Sequence, residues 1–120
     1  MAIQRQLTNN RMSQIVAHNG TVYLSGQVGD DMNAGVEQQT RETLKNIEHL
    51  LDLAGTDKSH ILSVTIYLKD IDADFAGMNS VWDEWLPKGA QPARATVAQS
   101  GGVRLDVGEG LQQRLDLIQQ

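Results

Sequence analysis

The sequence has no cysteine, two prolines and few aromatic residues among its 120 positions. Without cysteine there can be no disulfide, no thiolate metal ligand and no thiol nucleophile. That absence suits a reducing compartment, and a cytoplasmic location is expected. Apolar runs are also short. None approaches the roughly 20 residues of a membrane span, and the opening MAIQRQLTNN lacks the apolar stretch of a signal peptide. Basic residues are outnumbered, with 10 Lys and Arg against 15 Asp and Glu, a net charge of -5 and a pI near 5.0. Nucleic-acid backbones attract clusters of Lys and Arg, and no cluster occurs here, so nucleic acid is not an expected partner. The aromatics are Tyr23, Tyr67, Phe75, Trp82 and Trp85, which leaves the core to aliphatic side chains. The length suits one domain, expected to span 1–120.

Hydrophobic periodicity divides the chain into elements. In QIVAHNGTVYLSG, two apolar runs flank Asn19-Gly20. This pair is a strong hairpin signal, because both residues tolerate positive φ. Strands are expected at Ser13–His18 and Thr21–Ser25, followed by a polar glycine-rich loop. Val36, Thr40, Leu44, Ile47, Leu51 and Ala54 recur at helical steps, with Leu50 and Leu53 widening the stripe. Gly55 suits the left-handed residue that ends such a helix. ILSVTIYLK alternates: Leu62, Val64, Ile66 and Leu68 share one face of a strand, and the face carrying Ser63, Thr65, Tyr67 and Lys69 is half polar. A second helix is expected with Asp72 or Asp74 as its cap, a stripe of Phe75, Met78, Trp82 and Trp85, and its end at Pro87. ARATVAQ is the next strand, entered from Pro92. The order β-β-α-β-α-β, with a further strand possible in the tail, implies an α+β two-layer sandwich with both helices on one face.

Few residues suggest chemistry. His18, His49 and His60 lack metal-ligand spacing and are expected at the surface. Asp30-Asp31 reads as a solvated turn. No phosphate loop, dinucleotide fingerprint or nucleophile elbow occurs. Arg94 stands apart, since a guanidinium inside a strand is costly unless paired or facing a cavity. Its planar fork matches a carboxylate. From pattern alone, a structural salt bridge, an exposed edge-strand charge and a ligand clamp all stay open. Asn79 lies beside the second helix's stripe, as boundary residue or site. Ser25-Gly26 ends a strand, either as a plain break or as a place for a ligand to approach the backbone.

Taken together, YLSGQVG, TRETLKNIEHLLDLAG, ILSVTIYLKDIDADFAGMNSVWDEW and QPARATV resemble the RidA/YjgF family of enamine/imine deaminases, over about residues 13–97. The resemblance implies a chorismate-mutase-like fold with a mixed sheet, and a homotrimer with clefts between subunits. It implies that Arg94 clamps the carboxylate of a substrate derived from an amino acid. Ser25, Gly26, Asn79 and Thr96 would line the pocket, and a carboxyl group would serve as acid/base. By position that carboxyl is Glu109, which has glycine on both sides, whereas Asp116 has the better aliphatic setting. The reaction implied is imine hydrolysis to a keto acid and ammonia, without metal or organic cofactor. Where family deaminases tend to carry a tyrosine, this chain has Ser13. The tail 98–120 does not resemble the family, and an altered or non-family ending is expected. Within it VRLDV could form a short strand, and Leu111, Leu115 and Ile118 fall at helical spacing. A non-catalytic binder of small carboxylates is the alternative function. An RNA-binding or RNA-cleaving relative is a third, disfavoured by the acidic balance.

Overall fold

A computed structural model describes residues 2–31, 33–98, 104–105 and 116–118, the last two stretches as strand backbone. The first hairpin forms as its sequence dictates. Strands β2 (Ser13–His18) and β3 (Thr21–Leu24) pair antiparallel, and the turn places Asn19 at φ 53° and Gly20 at φ 78°. These left-handed values match the twist of the strands. A Cβ at Gly20 would meet nothing within 4 Å, so only the backbone conformation demands glycine there. Gly20→Val is expected to cost about 1–2 kcal/mol, read as a lower midpoint in urea. A strand not evident in the sequence, β1 (Gln4–Thr8), pairs antiparallel with β2 at the edge of the sheet. Its residues are all exposed, so no apolar alternation marks it.

Helix α1 (Val36–Leu53) buries Thr40, Leu44, Ile47, Leu50 and Leu51. Leu53 falls outside the stripe and is exposed. Glu42 of this helix accepts hydrogen bonds from the Asp31 N–H (2.9 Å) and the Gln38 amide (2.7 Å). These bonds, the Asp31 one foremost, hold its carboxyl below the usual glutamate range. Gly55 takes φ 84° just past the helix end, as expected. A single 3-10 turn, Lys58–His60, leads into β5 (Ile61–Leu68).

In β5 the alternation holds for Val64, Ile66 and Leu68, which are buried. It fails at Leu62, which is exposed while Ile61 is buried. The register shifts between Ile61 and Ser63, and such a bulge reverses the side to which the flanking residues point.

Helix α2 (Ile71–Trp85) is capped by Asp70, not by Asp72 or Asp74. The Asp70 Oδ1 accepts from the Ala73 N–H at 3.2 Å, and Asp72 and Asp74 lie in the first turn, where carboxylates favour the positive helix end. Of its stripe, Met78 and Trp82 are buried, Trp85 is half-buried, and Phe75 is 42% exposed. A Cβ on Gly77 would meet Val36 Cγ1 at 2.8 Å, so this glycine lets α2 approach the start of α1 closely.

Strand β6 (Ala93–Ala98) lies parallel to β5 and beside it, as a strand–helix–strand crossover through α2 requires. In the tail, β8 (Asp116–Ile118) pairs antiparallel with both β3 and β5. It therefore joins the hairpin half of the sheet to the crossover half. Leu111 and Leu115 of the expected helical spacing lie outside the described residues, and Ile118 is a strand residue paired with Thr21. The short β7 (Arg104–Leu105), within VRLDV, pairs antiparallel with β4 (Gln27–Val28) and β5. The result is a mixed sheet in the order β1-β2-β3-β8-β5-β7-β4, with β6 beside β5. Ile15, Val22, Leu24, Val64, Ile66 and Leu68 on its covered face pack with Leu44, Ile47, Leu51, Met78 and Trp82 of the helices. Among the described residues, no helix is long and apolar enough to cross a membrane.

Candidate functional site

Arg94 pairs with Val64, and Thr96 pairs with Ile66, along the parallel β5–β6 ladder. Partners across a ladder share a face, so Arg94 and Thr96 point to the side that the helices cover. Strand β6 lies off the main strand order beside β5, so these two side chains sit at the margin of the core. Ala93, Ala95 and Val97 point to the opposite face and are exposed.

Residues of α2 surround the guanidinium. Its Cζ lies 5.3 Å from the Trp82 ring centroid and 6.0 Å from that of Phe75. Nη1 lies 4.0 Å from Met78 Sδ, a weak acceptor. Among the described residues, Arg94 makes no ion pair with a carboxylate. Partial burial disfavours its charged form, and the negative charge of Asp83 offsets part of that penalty. A guanidinium remains a cation at neutral pH even so. The arrangement is a half-buried cation packed on apolar groups, with its hydrogen-bonding fork largely unspent.

Thr96 carries a second unspent group. Its Oγ1 is buried without a hydrogen-bond partner among the described residues. Asn79, half-buried on α2 next to Met78, makes no side-chain hydrogen bond within the same set.

Ser25 and Gly26 belong to a different part of the chain. The Ser25 N–H donates to the Gln14 carbonyl at 2.9 Å, and its hydroxyl donates to Gln14 Oε1 at 2.8 Å. The Gln27 amide donates to the same Oε1 at 3.0 Å and to the Ser25 carbonyl at 3.2 Å. The sheet order puts β8 and β5 between β3, which Ser25 follows, and β6. One chain thus places Arg94 and Thr96 on the face of β6 that meets α2, the helix that also carries Asn79, and leaves Ser25 and Gly26 apart from them. Glu109 lies outside the described residues. Ser13 hydrogen-bonds the Thr8 hydroxyl at 2.7 Å. No group of three or more His, Asp or Glu among the described residues could hold a metal ion.

Two sets of partners went unseen in the sequence. Phe75 and Trp82 read as core residues, and only the crossover of α2 over β5 and β6 brings their rings to Arg94. Gln14 carries no motif signal, and Gln27 stands in the YLSGQVG stretch without a role read for it. Their convergence on Ser25 follows from the β2–β3 pairing.

The sequence pattern of the endoribonuclease L-PSP family matches residues 3–104. A RutC family protein, YoaB of Escherichia coli, is 42% identical over 97 residues, covering 81% of this chain and 83% of that protein. The chain belongs to the RidA/YjgF family. A RutC family protein of Haemophilus ducreyi is 40% identical over 95 residues, covering 79% of this chain and 80% of its own. Among solved structures, a YjgF family member from Neisseria meningitidis superposes with a TM-score of 0.86 at 33% identity. That superposition covers 100% of this chain and 97% of the other. A protein of Pseudomonas aeruginosa gives the same TM-score, 0.86, also at 33% identity, covering 99% and 100%. The α+β architecture expected of the RidA/YjgF fold is therefore the one observed.

Proposed function

We propose that the protein is an enamine/imine deaminase whose Arg94 clamps the carboxylate of an α-imino acid in a cleft between subunits of a homotrimer. The observation that carries this reading is the Arg94 guanidinium, half-buried on Trp82, Phe75 and Met78 with no carboxylate paired to it among the described residues. A desolvated cation with free donors gains most from an anion that presents two oxygens. Thr96 Oγ1, buried and unpartnered on the same face, is a further donor for that anion.

The separation of Ser25 and Gly26 from Arg94 within one chain supports a pocket completed by a neighbour. So does the open face of the sheet. On that face Tyr23 of β3 is 39% exposed and, on β6, Val97 is 38% exposed beside the exposed Ala93 and Ala95. Apolar surface of this kind usually marks an interface.

In the reaction, an enamine takes a proton on carbon to become the imine. Water then adds to the imine carbon, and the carbon–nitrogen bond breaks to leave a keto acid and ammonia. Arg94 fixes the carboxylate, and a carboxyl group, by position Glu109, moves the protons of the water. Neither a metal nor an organic cofactor enters this scheme. The test follows ammonia and keto-acid release from imines that an amino-acid oxidase generates in situ. Release must exceed the spontaneous rate and must depend on Arg94.

Thr96→Val separates stability from function. It removes a buried, unpartnered hydroxyl, so stability should hold or rise by up to about 1 kcal/mol. KM for the imine should rise at the same time. Calorimetry and steady-state kinetics on one preparation check both.

A second reading, a binder of small carboxylates without turnover, is favoured by Ser13. Its hydroxyl is spent on Thr8 where family deaminases tend to carry a tyrosine. Binding that is lost in Arg94→Ala without any turnover by the wild type would select it. The RNA cleavage named in the family description is the third reading. The net charge of -5 disfavours it, and RNA affinity insensitive to salt would remove it.

A further inference from the structure

We propose that Phe75 and Trp82 form an aromatic cradle that holds the Arg94 guanidinium in one orientation, and that Phe75 also selects the substrate's side chain. This rests on the reading of Arg94 as the carboxylate clamp.

Phe75, Met78 and Trp82 fall at helical steps on α2, and all three reach the same cation. An arginine side chain with free rotamers loses entropy each time it binds, and holding it in place beforehand avoids that loss. Ring faces attract a cation within about 6 Å of the centroid, the separation seen for both rings.

The two rings differ in what else they do. Trp82 is 6% exposed and belongs to the core cluster, so its ring is accounted for by packing. Phe75 is 42% exposed. A phenyl ring left in water forgoes the stabilisation that burial would bring. Core packing therefore leaves this position unexplained, and its described aromatic contact is with Arg94. Phe75 forms the open rim of the cradle.

A carboxylate seated on Arg94 places the carbon that bears its side chain one bond further on. That side chain then lies within reach of the Phe75 ring. An apolar or aromatic side chain removes the exposed ring from water and gains by it, whereas a methyl or a charged group gains little. The substrate class is thus α-imino acids with large apolar side chains. Trp82 acts as a positioning residue, and Phe75 as a positioning and specificity-determining one.

The test is isothermal titration of the full chain with pyruvate and with phenylpyruvate, α-keto acids that differ only in the ring. Wild type is expected to bind phenylpyruvate more tightly. Phe75→Ala should weaken phenylpyruvate by about 5-fold or more and pyruvate by less, so the preference collapses. Phe75→Tyr should restore it. Phe75 is exposed, so a melting temperature close to wild type is expected for both variants. A preference unchanged in Phe75→Ala, with binding still abolished by Arg94→Ala, overturns the selecting role and leaves the clamp standing. Binding that survives Arg94→Ala, or a wild type that binds neither acid, overturns the clamp and the cradle with it.

Discussion

Arg94→Lys is expected to fold as wild type and to lose about 100-fold or more in kcat/KM. The charge is conserved and the geometry is not. Lysine places one compact ammonium where arginine offers a planar fork, so two parallel bonds to a carboxylate become one. Its ammonium is also more strongly hydrated than a guanidinium. It is therefore poorly matched to a half-buried position between the Trp82 and Phe75 rings. Two charge-assisted bonds at about 1.5–3 kcal/mol each set the scale, and the loss of one with distortion of the other gives the stated factor. Folding should be spared, because Arg94 makes no ion pair among the described residues that lysine would break. Steady-state kinetics with a far-ultraviolet circular dichroism control checks the prediction. Wild-type kinetics in Arg94→Lys would leave only the charge as functional.

Ala95→Asp should dissociate the assembly and abolish turnover together. Ala95 is exposed on β6, on the face away from the helices, between Ala93 and Val97. Nothing within the chain's core changes when it is replaced. If this face meets a neighbouring sheet, the substitution buries an unpaired carboxylate, at a cost of several kcal/mol per ion. Three such carboxylates would also repel one another around a symmetric interior. Sedimentation velocity should show the wild type as a trimer and Ala95→Asp as a folded monomer, with activity falling in step. A trimer that retains full activity would move the interface elsewhere.

Both predictions use side chains whose chemistry is visible in the sequence but whose surroundings are not. The elements themselves were largely legible. Asn19-Gly20 announced its hairpin, and the stripe from Val36 to Leu51 announced α1, because local rules decide both. Long-range pairing decided what was missed. Strand β1 has a polar, fully exposed sequence and exists only through its ladder with β2. Leu62 reads as a core residue until the bulge opposite β8 turns it outward. In the sequence Ile118 belongs to a helical spacing, yet Asp116–Ile118 pair as a strand with β3 and β5 at the centre of the sheet. At the site, Arg94 was conspicuous as a charge within a strand. Its cradle was not, because Phe75 and Trp82 sit at spacings that serve a core equally well. The exposure of Phe75, seen only once the chain is folded, separates the two uses.

The measurement that bears most directly on the central claim is ammonia release from an oxidase-generated imine, with wild type and Arg94→Ala run side by side at equal concentration. The account predicts acceleration over the spontaneous hydrolysis by the wild type, and none by the variant. Equal acceleration by both proteins would contradict it.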